Sequence, residues 1–413
     1  MTATIPFLKT IFPPSHHDRV LLVGGTVRDM LRGRESRDID LVAALSDDEL
    51  CSLGFRLVET VSASPIYFKH HPHSGKIEVT RIDSMDDLAD DLLRRDFTIN
   101  AIAMDLSGRR VDPLGGEDDL KEGILRTCSD RSFANDPLRI FRAFRFEADG
   151  WTMAPGAAAL LRGADWSEAL RAIPIERFSG EMLKALAREL PEHFFQRMIE
   201  FNVGAEFLPE LFRMPEIPAG PLRHHPEGDL LTHSIQVLQR VAALTDDPLS
   251  RFCALFHDLG KLATEPALYP KHHGHDEAGF GMAPAFCNRL RLPSTYRGAL
   301  AWVSRLHGKG NRWDELRDSS KIKMAEQAAK RGIAAILPLV CAADKPGEQP
   351  PAGWDDAIRI IGMSTPELGI DQQKLEAMPV GNRQQLVLQR RVELLRELRT
   401  LKHHCDRESP GRS

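Results

Sequence analysis

Val20-Leu-Leu-Val23 runs directly into Gly24-Gly25, and some dozen residues later Arg37-Asp38-Ile39-Asp40-Leu41-Val42 alternates polar and apolar side chains. The first stretch predicts a buried strand that ends in two glycines, with a helix from about Thr26 to Leu31. The second predicts a strand on which Asp38 and Asp40 share one face while Ile39 and Leu41 pack on the other. Two carboxylates about 7 Å apart along a strand can hold Mg2+, a hard cation that takes oxygen ligands and keeps part of its water shell. Taken alone, a D-x-D is more simply a pair of solvated acids. The double glycine changes the weighting. Gly24 and Gly25 let backbone approach a phosphate, the helix start offers free N–H groups, and Arg28 adds a guanidinium.

Ile66-Tyr-Phe68 and Ile77-Glu-Val-Thr80 are further strands, joined by a turn-like His-Pro-His-Ser-Gly segment. Glu78 sits on the polar face of the second and is a candidate third carboxylate, with a surface acid as the alternative. Arg94-Arg95 precedes an amphipathic stretch and suits bidentate clamping of a triphosphate, unless Arg95 merely pairs with Asp96. From Asp136 the text is almost all helical, at 136–146, 157–162, 175–187 and 194–201, then from Leu230 to about Ala343, and near Leu386 to Lys402. Pro209 to Pro221 and Pro346 to Gly353 read as linkers.

With 413 residues, two to four domains are expected at roughly 100–200 residues each. A chain 42% hydrophobic and 27% charged is not mostly disordered. No run approaches the ~18 apolar residues of a membrane span, and residues 1–17 make no convincing secretion signal. The six cysteines form no C-x-x-C pair, so neither a disulfide framework nor a cysteine zinc site is expected, and a reducing cytoplasm is the default setting. A net charge of −5 argues against indiscriminate DNA coating but leaves room for local RNA-binding patches. Arg305 to Arg331 holds eight Lys/Arg against four acids, and the tail carries Arg390, Arg391, Arg396, Arg399 and Lys402. Either run can follow an RNA backbone, or be a solvated helix face.

Asn135-Asp136-Pro137-Leu138-Arg139-Ile140-Phe141-Arg142-Ala143-Phe144-Arg145 begins a helix, with Asp136 as cap and Pro137 as first residue. Arg139, Arg142 and Arg145 are expected on one polar face, more than a helix start needs. Cytosine and adenine both show an exocyclic amine beside a ring-nitrogen acceptor. Asp136 accepting from the amine and Arg139 donating to the ring nitrogen match that edge and not that of uracil or guanine.

A second constellation lies downstream. In the helix from Leu230, His233 is flanked by Leu230, Val237 and Val241 and so points inward. Phe252-Cys-Ala-Leu-Phe-His257-Asp258-Leu-Gly260-Lys261 places His-Asp at the end of an apolar helix, with Gly260 as its cap. Charge at that depth needs a partner, and metal ligation supplies one. Asp344, ending the apolar run from Ile336, can be a fourth ligand.

In order, G-G-x-V-R-D, R-D-x-D, R-R-D-F-T-x-N-A and D-P-L-R-x-x-R resemble the bacterial class II tRNA nucleotidyltransferases, or CCA-adding enzymes, which share their catalytic half with bacterial poly(A) polymerases. The resemblance implies an α+β head with a palm-like mixed sheet over residues 1–125 and an all-α neck and body over 126–215. It makes Asp38 and Asp40 the Mg2+ ligands, with Glu78 completing the catalytic set. Gly24, Gly25, Arg28 and Arg95, with Asp96 and Asn100 of the third motif, would bind CTP or ATP. Asp136 and Arg139 would select the base, and Arg142 and Arg145 would reach the phosphates or brace the template. The partner implied is the 3′ end and acceptor arm of tRNA.

Two departures stand out. The family usually has Glu where Asn135 lies, to hold the template arginine. CCA-adding relatives also carry a flexible loop before R-R-D that helps switch the pocket from C to A, whereas only thirteen residues separate Thr80 from Arg94 here, and they read as an acidic helix. That shortness resembles CC-adding members.

The order H…HD…D resembles the HD phosphohydrolase superfamily. It implies an all-α HD domain over 216–345, a helical tail over 346–413, and His233, His257, Asp258 and Asp344 binding a divalent transition metal. Mixed imidazole and carboxylate ligands suit Ni2+, Mn2+, Co2+ or Fe2+. His273, His275 and His307 are candidates for a second metal or a phosphate, or belong to a solvated loop. The whole reads as a template-free tRNA nucleotidyltransferase with a fused phosphatase or phosphodiesterase. The alternatives are a poly(A) polymerase, or an HD hydrolase with a non-catalytic RNA-binding head.

Overall fold

The computed structural model describes residues 4–34, 38–58, 64–71, 75–345, 347 and 349–408, with side chains to 401. Arg37, the expected turn at 72–74 and the side chain of Lys402 lie outside the described residues. The chain divides into two units, Met1–Ile173 and Pro174–Ser413. No helix among the described residues is long and apolar enough to cross a membrane.

The first unit is built on a seven-stranded sheet of β1 Val20–Leu22, β2 Ile39–Ala43, β3 Arg56–Val58, β4 Ile66–His71, β5 Gly75–Arg81, β6 Ala103–Asp105 and β7 Arg110–Val111. Their order is β3-β4-β5-β2-β1-β6-β7. Only β2 and β5 run parallel, which makes the sheet mixed. The alternation in β2 behaves as the sequence requires. Ile39, Leu41 and Ala43 enter the core on one side of the sheet with Val20, Leu22, Ile77 and Val79. Val42 faces a second core with Leu21, Val23, Leu88 and Leu92. Asp40 therefore projects on the Val42 side.

Leu88 and Leu92 come from the acidic segment after β5, which forms a 3-10 turn, Met85–Asp87, and a helix, Leu88–Leu93. Ser84 starts the turn with a reciprocal cap to Asp87. Burying each leucine stabilises that segment by about 2 kcal/mol, enough to hold these few residues against the sheet.

The helix after β1 spans Gly24–Leu31, beginning at the glycines rather than at Thr26. Val23 is extended and Gly24 turns the chain with φ +67°, so the helix starts without a side-chain cap. The helix expected from Asp136 is instead two, Ser132–Asn135 and Leu138–Glu147, broken where Asp136 is extended ahead of Pro137.

The second unit is helical. Two helices that carry the histidines start where the sequence caps them. Asp229 accepts from Thr232 N at 2.9 Å to open Leu230–Ala242, and Asp247 accepts from Ser250 N at 2.9 Å to open Pro248–Phe256. Downstream lie His275–Arg289, Ser294–Gly310, Asp318–Lys330, Leu337–Asp344 and Val380–Glu408. The stretch expected as a linker from Pro209 instead contains a short helix, Pro209–Arg213, because Leu211 and Met214 are buried.

Gly260 is not a helix cap. Pro248–Phe256 ends at His257 in right-handed geometry, and Gly260 lies in a 3-10 turn, Leu259–Ala263. Its missing side chain admits the next helix, since a Cβ there would come within 2.0 Å of His275 O and 2.4 Å of Gly279 N.

Candidate active sites

In the first unit the site is assembled around Gly24. A Cβ on that residue would lie 3.1 Å from Asp40 Oδ2 and 3.1 Å from Arg95 Nη1. A carboxylate and a guanidinium thus flank the bend with nothing but a glycine between them. Asp40 faces Glu78 in direct register across β2 and β5. Burial pushes the Asp40 carboxyl up, and the charges of Glu78 and Asp38 add to it, while Arg95 and Lys76 oppose them. Such crowding of acids favours a cation. Asp38 is exposed and accepts from Lys76 N at 3.4 Å, and Lys76 Nζ holds Glu78 at 2.5 Å.

Arg95 pairs with Asp91, not Asp96, through Nε at 3.1 Å and Nη2 at 2.9 Å, which leaves Nη1 over Gly24. Asp96 is taken by Arg142, whose Nε and Nη2 both reach Oδ2. Its other oxygen accepts from Asn100 Nδ2 at 2.9 Å, and Asn100 Oδ1 accepts from Arg28 Nη1 at 2.7 Å. Arg28, Asn100, Asp96 and Arg142 form one connected chain. Burial by itself would raise the Asp96 carboxyl, but Arg142, Asn100 and the Phe97 N–H outweigh it and bring it down to about 2.

Arg139 is braced without a charged partner. Its Nη1 donates to Arg95 O, Ser132 O and Ser132 Oγ, and its Nη2 to Arg94 O at 2.6 Å. Backbone carbonyls and Ser132 thus hold Arg139, and Asn135 is exposed. The Nε hydrogen and one Nη2 hydrogen of Arg139 remain without an acceptor among the described residues. Asp136 Oδ1 accepts from Leu138 N at 3.2 Å, but the helix begins at Leu138 with Pro137 at its cap, one residue later than expected. Arg145 departs from the expected polar face. It is only 9% exposed and stacks its guanidinium 4.5 Å from the Phe146 ring centroid, because the arginine-bearing side of this helix turns into the core by its last turn.

The second unit collects the expected ligands. Atoms of His233, His257, Asp258 and Asp344 lie within 4.8 Å of one another. His233 Nε2 stands 3.0 Å from Asp344 Oδ1 and 3.5 Å from Asp258 Oδ2, and His257 Nε2 stands 3.4 and 3.2 Å from the same two oxygens. These nitrogens, with Asp344 Oδ1 and the other Asp258 oxygen, are buried without a hydrogen-bond partner among the described residues. Each Nδ1 is already engaged, that of His257 with Ala254 O at 2.8 Å and that of His233 with Glu227 at 2.7 Å. Each Nε2 lone pair therefore faces carboxylate lone pairs, an arrangement that requires a cation or a proton between them. With only a proton to supply, burial of His257 would oppose protonation, but Asp258 and Asp344 override it and push its pKa up to about 10. The donor set fits a divalent metal.

A second group comprises Asp258, His275 and His307. His275 Nε2 and His307 Nε2 each lie 3.3 Å from Asp258 Oδ1, while the first group uses Oδ2, so Asp258 is shared. Their Nδ1 atoms are held by His272 O and Ser304 O. His273 is exposed and takes no part.

Three neighbours went unnoticed in the sequence. Lys261, 5% exposed, donates to Ala219 O and pairs with Asp258, each at 2.6 Å. Asn311 Nδ2 holds Asp344 Oδ2, and Glu227 holds His233. Lys261, three residues after Asp258, was visible as H-D-L-G-K; the other two carry no local signal.

The basic runs are largely self-neutralised. Asp318 takes Arg396 and Arg399, and Glu393 and Glu397 take Arg390. A groove of about 680 Å3 between the 318–330 and 380–408 helices keeps Lys323, Lys330, Arg383 and Arg391 around the acid Glu326. Lys323 and Arg383 have no carboxylate partner among the described residues.

A mixed-sheet head with acids beside a double-glycine bend, followed by helices that close around a histidine–aspartate centre, defines a nucleotidyltransferase fused to an HD domain. Residues 59–126 match the poly A polymerase head domain family, 164–214 a probable RNA- and SrmB-binding site of polymerase A, and 230–345 the HD domain family. The multifunctional CCA protein of Methylococcus capsulatus is 34% identical over 409 residues, covering 92% of this chain and 95% of that protein. That of Shewanella denitrificans is 36% identical over 329 residues, 75% of this chain and 78% of its own. The chain belongs to the multifunctional CCA protein family. Among solved structures, the Thermotoga maritima CCA-adding enzyme complexed with tRNA aligns with a TM-score of 0.62 at 20% identity, covering 93% of this chain and 91% of that one. The Bacillus stearothermophilus CCA-adding enzyme in complex with CTP aligns at 0.60 and 23%, covering 87% and 81%. These two likenesses concern the fold.

Proposed function

We propose that the head adds CMP and then AMP from CTP and ATP to the 3′ end of tRNA, and that the HD centre hydrolyses phosphate esters. The observation that carries the first reading is the placement of Asp40 Oδ2 and Arg95 Nη1 on either side of the Gly24 bend. Asp38 and Asp40 hold Mg2+, with Glu78 adding negative charge beside them. When bound, the metal lowers the pKa of the attacking hydroxyl and neutralises charge on the departing pyrophosphate. Arg95 and Arg28 bind the triphosphate, and the backbone at Gly24 and Gly25 allows its close approach. Asp136 and the free donors of Arg139 read the base edge. The chain from Arg142 through Asp96 and Asn100 to Arg28 ties base reader to phosphate binder, so that alignment supplies the rest of the rate.

In the HD centre His233, His257, Asp258 and Asp344 hold a transition ion of the Mn2+, Fe2+, Co2+ or Ni2+ class, and Asp258, His275 and His307 hold a second. When bound, such an ion supplies a nucleophilic hydroxide at neutral pH. Lys261 balances the charge of Asp258, and Asn311 orients Asp344. The basic groove around Lys323 and Arg383 binds the RNA backbone. Such substrates place the chain in the cytoplasm.

One observation favours a second reading, addition of CC alone: the segment before Arg94 is packed by Leu88 and Leu92 against the sheet. Incorporation assays on tRNA lacking its 3′ end, with CTP, ATP or both, decide among these readings. C, C and A in turn is expected. Arrest after two cytidines establishes the second reading, long A tracts from ATP alone a poly(A) polymerase, and no incorporation a non-catalytic head.

A further inference from the structure

His233 differs from the other three imidazoles of the HD centre in how its outer nitrogen is held. His257, His275 and His307 each place Nδ1 on the backbone carbonyl three residues earlier, at Ala254, His272 and Ser304. His233 places Nδ1 on the carboxylate of Glu227, 2.7 Å away. The same oxygen, Glu227 Oε1, also takes His225 Nδ1 at 3.0 Å, and the His225 ring stands edge-on to that of His233, 5.0 Å between centroids. Glu227 is 9% exposed and lies ahead of the HD match, which begins at residue 230.

We infer that Glu227, secured by His225, is a positioning residue that fixes His233 with Nε2 bare toward the HD centre and strengthens it as a ligand. Resting on the metal reading above, this follows from the acceptor's charge. A carboxylate on Nδ1–H selects the same tautomer as a carbonyl does, but also raises the electron density that Nε2 offers to a cation. The loop that brings Glu227 into place is itself tied to the centre. Ala219 N donates to Gly228 O and Leu230 N to Ile217 O, each at 2.8 Å. On its other strand Ala219 O takes Lys261 Nζ, and Pro218 O takes His272 Nε2 at 2.7 Å. One loop therefore presents acceptors to both His233 and the lysine beside Asp258.

The test uses the full chain stripped of metal, and its Glu227→Gln and Glu227→Ala variants. Mn2+ or Ni2+ alone is titrated in by equilibrium dialysis with elemental analysis. Glu227→Gln keeps an acceptor for Nδ1–H but not the charge, so a merely structural role predicts wild-type binding from it. Both variants should instead bind the ion 10–100-fold more weakly, Glu227→Ala the more so. If Glu227→Ala loses the metal-free fold by circular dichroism, the isosteric Glu227→Gln decides. A wild type that takes up no ion overturns the metal reading and this inference with it. A wild type that binds, with Glu227→Gln binding equally well, overturns the role of Glu227 alone.

Discussion

Arg142 lays Nε and Nη2 on one oxygen of Asp96, at 2.8 and 2.5 Å, while the other oxygen of Asp96 faces Asn100. Two elements far apart in sequence, the R-R-D-F motif and the Leu138–Glu147 helix, are thereby locked together.

Breaking that lock has a predictable cost. Asp96 is buried and Arg142 about one-third exposed, so Asp96→Asn should destabilise the chain by about 2 kcal/mol, below the ~3–5 of a fully buried pair. The sign of its pH dependence follows. The native carboxyl, at about 2, lies below its ordinary 3.8, so its contribution is complete above roughly pH 4 and is lost as pH falls toward 2. Urea unfolding should show the gap between wild type and Asp96→Asn narrowing from pH 5 to pH 3. A constant gap would assign the loss to packing.

Asp40→Ala and Asp38→Ala should each lower nucleotide addition by on the order of 10^3-fold or more, several kcal/mol of lost charge stabilisation. Phosphate-ester hydrolysis should be unchanged in the same preparations. Full addition by either variant would remove the carboxylates from the mechanism.

Arg139→Ala should blunt the choice of base. A good hydrogen-bonded pair to a base edge is worth about 1–3 kcal/mol of discrimination, so without it UTP and GTP should gain on CTP and ATP by roughly 10–100-fold in kcat/KM. Asn135→Ala should leave selectivity near wild type, because backbone carbonyls brace Arg139.

The HD centre predicts separable metal requirements. Chelation followed by Mg2+ alone should restore nucleotide addition and not hydrolysis, whereas His257→Ala should abolish hydrolysis and spare addition. Because Asp258 faces both ligand groups, Asp258→Asn should lose two bound ions where His275→Ala loses one, as read by elemental analysis.

Charge removal in the groove, Lys323→Ala, should weaken tRNA binding and flatten the dependence of log affinity on log salt by about 1, as removal of one phosphate-neutralising cation requires. Arg396→Ala should change little, since Asp318 already neutralises that side chain. Equal effects from the two would argue that the tail, not the groove, carries the RNA.

Much of this was legible in the residues because alternation and capping are local. The face of Asp40 followed from Ile39 and Leu41, and the inward aim of His233 from Leu230, Val237 and Val241. Partnerships across the chain were not legible. Arg95 chose Asp91 over its neighbour Asp96, which Arg142 holds from forty-six residues away. Arg145 went into the core although its spacing matched that of Arg139 and Arg142.

Residue order alone specifies a strand-bearing first stretch followed by helices, the acidic strand beside a double glycine, and the four residues that meet at the HD centre, because each is written in spacing over a few residues. Folding in three dimensions was needed to show that backbone carbonyls hold Arg139, that Gly260 admits a helix bearing His275, and that Asp258 lies between two groups of histidines. Those outcomes depend on which distant backbone packs within a few ångströms, and no local pattern encodes that distance.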